Sequence, residues 1–126
     1  EENNMEPSLA LTIIGVVMII VGIIFNAIPK VVNEKTMPDL PPEAVGISAL
    51  FRVVNGGLGI AIGTVALYCR KLPPEYASIV LFSLGSGFII VIFTLFSGKL
   101  RGFEKELPIP PIILFTLLTI IAYLSS

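Results

Sequence analysis

The sequence predicts an all-α polytopic membrane protein, a bundle of four transmembrane helices with short connectors, and three observations carry that prediction. Hydrophobic residues make up 55% of the chain and charged residues 13%, against roughly 25% charged in an ordinary soluble domain. The apolar residues gather into four runs, about residues 8–28, 47–69, 76–97 and 109–124, and the first three are long enough for a hydrocarbon core of roughly 30 Å. No Asp or Glu lies inside any of these runs, while most of the prolines and charges fall between them. A chain of 126 residues has room for three or four spans and no separate soluble domain, so residues 1–126 read as a single membrane domain.

The first span, Ser8 to Ile28, follows Glu6 and Pro7 and is closed by Pro29 and Lys30, residues suited to a helix start and stop. Ser8, Thr12, Gly15, Gly22 and Asn26 share one face of it, leaving an aliphatic back. A secretory leader is the rival reading, but the run exceeds the usual leader core and lacks a basic start. The connector Val31 to Gly46 holds Pro38, Pro41 and Pro42 with Asp39 and Glu43, and reads as a loop or short interfacial helix. It is either a lid near Arg52 or a plain linker.

The second span places Ser48, Arg52, Asn55, Gly56, Gly59, Gly63 and Ala66 within roughly 60° of one direction, with Leu50, Val54, Leu58, Ala61 and Val65 opposite. The small face admits a neighbouring helix and the aliphatic face suits lipid. The link Arg70 to Glu75 is so short that spans two and three must be antiparallel neighbours. Span three carries Ser83, Gly85, Ser86 and Gly87 near its middle, residues suited to close packing and interhelical hydrogen bonds. The connector Gly98 to Pro108 mixes Lys99, Arg101, Glu104, Lys105 and Glu106. Span four opens on Pro110 and Pro111 and is short, about 24 Å from Pro111 onward at 1.5 Å per residue, so the membrane thins there or the natural chain continues. Thr116, Thr119 and Tyr123 lie on one of its faces. The predicted packing positions are Gly15, Gly22, Gly56, Gly59, Gly63, Ser83 and Ser86.

Arg52 requires a physical account, because an arginine at depth costs on the order of 2.5–3.5 kcal/mol on insertion scales. Either its stem snorkels to the interface, or its planar fork holds an anionic or carbonyl-bearing ligand with help from Asn55, Asn26 and Ser48. With no carboxylate in the spans, it must pair with helix-end carbonyls, Asp39 or Glu43 from the loop, water, or a ligand. Other chemistry is poorly provided for. There is no histidine and a single cysteine, Cys69, so no haem, zinc, iron–sulfur or dithiol site is predicted, and no cofactor. The glycines of NGGLG lack the preceding strand and the lysine of a phosphate loop. A net charge of −1 without a basic cluster argues against nucleic acid.

The run FRVVNGGLGIAIGTVALY, an arginine followed by a glycine pair and a glycine ladder, resembles small bacterial four-helix membrane proteins near the DoxX-like group. That resemblance covers Phe51 to Gly63 in motif and about Ser8 to Leu124 in span layout, and it implies the four-helix fold with Arg52 as the marked position. Members of the group carry an acidic residue in the last span, where this chain has only Thr116 and Thr119. Small fluoride channels are similar in length and span number, but their asparagine and phenylalanine pattern is missing. The expected role is noncatalytic: an accessory subunit of a membrane complex, or a binder of a lipid-like or small anionic ligand near Arg52. A small dimeric channel or transporter with Arg52 in the permeation path is the alternative. The expected partners are membrane lipids together with a protein partner or a second copy of the chain. Counting basic residues by side gives Lys30, Lys35, Lys99, Arg101 and Lys105 against Arg70 and Lys71, which favours both termini outside; the expected location is the plasma (inner) membrane.

Overall fold

The computed structural model describes residues 5–103 and 106–126. Every regular element among them is helical: α1 (Pro7–Ala27), α2 (Pro29–Thr36), a 3₁₀ turn (Pro42–Ala44) leading into α3 (Val45–Cys69), α4 (Pro74–Leu100) and α5 (Ile109–Ser125). Proline sets the starts. Pro7, Pro29, Pro42 and Pro74 each open an element, and Pro110 and Pro111 fall in the first turn of α5, where a missing N–H costs nothing and φ is already helical. The same residue type makes the break between α1 and α2, because a residue before proline is driven out of the helical region. Ile28 accordingly sits at φ −135°, ψ 56°.

Three helical segments are long and apolar enough to cross a membrane: Pro7–Ala27, Pro42–Cys69 and Pro74–Leu100. The helix α5 is apolar but shorter, with 17 residues. The chain divides into two compact units, one holding Ile13–Tyr68 and the other the chain up to Thr12 with Cys69–Ser126.

In the first of these units, α1 and α3 run antiparallel along a glycine seam. Gly15 and Gly22 on α1 lie against Gly63 and Gly56 on α3, so each step of seven residues along one helix is matched by a step of seven back along the other. A Cβ at Gly22 would stand 2.5 Å from the Gly56 carbonyl oxygen, and one at Gly63 would stand 2.6 Å from that of Gly15. Such contacts are with backbone, which cannot turn aside, and they leave no room for even a methyl group. Gly59 is less pressed, at 3.3 Å from the Met18 carbonyl, and Gly57 meets nothing within 4 Å. The outer face of α3 carries Leu50, Val54, Leu58 and Val65, each half-exposed or more.

In the other unit α4 and α5 pack antiparallel through aromatic side chains. Tyr123 lies over Gly85, where a Cβ would meet its ring at 2.8 Å, and its hydroxyl is 3.1 Å from Ser86 Oγ. Phe82 tilts against the Tyr123 ring with centroids 5.3 Å apart, and Phe88 against Phe115 at 5.6 Å. Leu81, Leu118 and Ala122 are buried along the same elements. The helix α4 runs to Leu100, beyond the span end expected at Ser97, and takes in Gly98 from the anticipated connector. It stops where Gly102 takes φ +81°. There the Gly102 amide donates to Lys99 and the Phe103 amide to Gly98, the paired bonds by which a left-handed glycine closes a helix. The expected charges Glu104 and Lys105 lie outside the described residues.

Candidate functional site: the α2–α3 corner at Arg52

The connector after the first span contributes a helix, α2, and this helix supplies the partners of Arg52. In PKVVNEKT, Asn33 and Thr36 stand three residues apart and therefore on one face. Arg52 Nε donates to Asn33 Oδ1 at 2.8 Å, and Nη2 donates to Thr36 Oγ1 at 3.3 Å. The Thr36 hydroxyl spends its own proton on the Val32 carbonyl at 2.9 Å, which leaves its lone pairs to the guanidinium. From α1, the Phe25 ring lies under the guanidinium with its centroid 4.8 Å from the guanidinium carbon, a cation–π contact.

Both hydrogen-bond partners are neutral, whereas Asp39 and Glu43 were among the partners the sequence offered. An arginine carries five N–H donors, and among the described residues the two bonds to Asn33 and Thr36 leave three of them uncommitted. A further unspent donor lies on Asn33 itself. Asn33 is 5% exposed, and its Nδ2 has no partner among the described residues. Such a buried, unmade hydrogen bond costs about 1–3 kcal/mol. Turning the carboxamide over would set two donors face to face, so Arg52 dictates which end of the amide it meets. The side chains that meet here leave donors unspent, and unspent donors suit an oxyanion or a carbonyl.

The other residues singled out with Arg52 take separate places. Asn26 donates from Nδ2 to the Val53 carbonyl at 3.1 Å and to the Gly22 carbonyl at 3.4 Å. A Cβ at Gly56 would stand 2.6 Å from that nitrogen, so the glycine makes room for the asparagine and the pair ties α1 to α3. Asn55 is exposed and Ser48 half-buried, and neither hydrogen-bonds to Arg52. Among the α4 positions, Ser86 reaches α5 while Ser83 is exposed and donates to the Ile79 carbonyl of its own helix. No group of three or more metal-ligating side chains occurs among the described residues.

No family model, curated protein or solved structure matches this chain. The functional reading rests on the side chains themselves. Asn33 and Thr36 were not among the expected partners, because the connector Val31 to Gly46 reads as a loop or short interfacial helix with no face assigned to it, and neutral side chains were not among the groups offered to Arg52. The signal that could have found them is the polar i, i+3 pair on the short helix that Pro29 is suited to open.

Proposed function

We propose that this chain is a noncatalytic four-span protein of the plasma membrane that binds an anionic amphiphile at Arg52. The helix α5 is the fourth span in this reading: its 17 residues reach about 25 Å, and it lies antiparallel to α4. Both termini then fall on the side with fewer basic residues, outside the cell. Arg52 lies seven residues into α3, about 10 Å along the helix, a depth that a lipid headgroup reaches. The observation that carries this reading is the state of its guanidinium, oriented by Asn33, Thr36 and Phe25 but given no charged partner by any of them. An arginine that only snorkels needs no such mounting, and a mounted fork with free donors suits two-point recognition of a carboxylate or phosphate.

The test is mass spectrometry of what purifies with the protein in mild detergent, comparing wild type with Arg52→Leu and Arg52→Lys. Wild type is expected to retain an acidic lipid that Arg52→Leu loses, with Arg52→Lys intermediate because it keeps the charge without the planar fork. An unchanged lipid profile in Arg52→Leu, at unchanged thermal midpoint, removes the binding role. A stoichiometric protein in place of a lipid points to an accessory subunit.

A further inference from the structure

We infer that Asn33 is part of the binding site, and that the group it binds with Arg52 is a phosphate oxyanion, with α2 carrying one of its donors. The inference rests on the reading of Arg52 as a binding residue and adds to it a second residue, a ligand class and a helix. It starts from the amide of Asn33, which has two ends and only one of them engaged. The Oδ1 end holds Arg52 Nε at 2.8 Å, while Nδ2 is enclosed and has no partner among the described residues. Since the two ends of a carboxamide are about 2.2 Å apart, Nδ2 lies within roughly 5 Å of Arg52 Nε. The Nε–H is spent on Oδ1, but the uncommitted Nη donors belong to the same guanidinium, and they and Nδ2 can serve different oxygens of a single tetrahedral group. Phosphate offers several acceptor oxygens, enough for the free guanidinium N–H groups and Nδ2 together.

The position of α2 supports access. It is an eight-residue helix set off from α1 at Ile28 and Pro29, and its Thr36 bond to Arg52 is the longer of the two, at 3.3 Å. A small outward movement of α2, at the expense of the longer Thr36 bond, opens Nδ2 to an incoming oxygen. Phosphate at this corner can come from a lipid headgroup or from free solution, and the chemistry of the seat is the same for both.

The experiment uses the full chain in detergent and reads the thermal midpoint with phosphatidylglycerol, with a diacylglycerol of the same chains, and with inorganic phosphate. Wild type is expected to gain about 5 °C or more from phosphatidylglycerol at saturation and nothing comparable from diacylglycerol. An equal gain from inorganic phosphate identifies a free oxyanion as the occupant, and a gain from phosphatidylglycerol alone identifies the lipid. The decisive variant is Asn33→Asp, which has nearly the same shape, gives Arg52 an ion pair and replaces the free donor with an acceptor. It is expected to match or exceed the wild-type midpoint without lipid, yet to lose the phosphate-dependent gain, with apparent affinity down at least tenfold. Asn33→Ser, which keeps an acceptor and removes Nδ2, supplies the same comparison should the aspartate variant not fold.

A full gain in both Asn33 variants while Arg52→Leu loses it overturns the role of Asn33 and leaves the binding role of Arg52 standing. A full gain in Arg52→Leu itself overturns the parent reading. A gain from diacylglycerol equal to that from phosphatidylglycerol, or no gain from either phosphate source, overturns the phosphate assignment.

Discussion

At the scale of single residues, the glycines of α3 show how one position apart becomes a different role. Gly56 and Gly57 are neighbours in sequence, about 100° apart around the helix, and only Gly56 faces the α1 backbone. Gly63→Ala drives a methyl group to 2.6 Å from the Gly15 carbonyl oxygen and is expected to cost about 1–3 kcal/mol. Gly57→Ala meets nothing within 4 Å and is expected to be neutral or to stabilise by up to about 1 kcal/mol through helix propensity. Thermal midpoints in detergent check the order, with Gly59→Ala between the two, and a Gly57 variant less stable than the Gly63 variant contradicts the seam. This face was legible in the sequence because glycine spacing along a helix fixes an angle whatever the helix packs against. The partners of Arg52 were not, because an arginine is satisfied by any acceptor, and the neutral Asn33 and Thr36 carry no signal of charge complementarity.

At the scale of elements, the helices themselves were readable while their pairings were only half so. The proline starts and the apolar runs place α1, α3, α4 and α5 to within a turn, since both act locally. The contact between Gly85 and Tyr123 needed a register between α4 and α5 that no local signal supplies, although each residue marked the polar or small stripe of its own helix. That contact makes a coupled pair. Gly85→Ala is expected to destabilise by about 1–3 kcal/mol because the new methyl meets the Tyr123 ring at 2.8 Å. Tyr123→Leu is expected to cost less than that and to relieve most of the Gly85→Ala penalty, since the ring is the obstacle. Tyr123→Phe isolates the hydroxyl bond to Ser86 and should cost roughly 0.6 kcal/mol, the average for such bonds in membranes. A double mutant whose loss equals the sum of the singles shows that the ring and the glycine do not meet.

At the scale of the whole molecule, the number of crossings and their direction decide on which side of the membrane the Arg52 corner opens. In the proposed four-span topology, five basic residues lie on one set of connectors against two on the other, a bias that favours both ends outside and, with them, the α2 corner on the inner side. Single cysteines in a Cys69→Ser background test this at exposed positions: Glu6, Glu34, Glu75, Phe103 and Ser126. An impermeant maleimide on intact cells is expected to label Glu6→Cys, Glu75→Cys and Ser126→Cys, and to label Glu34→Cys and Phe103→Cys only after the membrane is opened. The label at Ser126 is the informative one, because α5 has 17 residues against the roughly 20 of an ordinary span. If α5 crosses, Ser126 follows Glu6; if it enters and does not emerge, Ser126 stays unlabelled in intact cells while Glu6 reacts. The inverted pattern, with Glu34 and Phe103 labelled from outside, moves the Arg52 corner to the outer leaflet. The acidic lipid to be sought at that corner would then be one of the outer face.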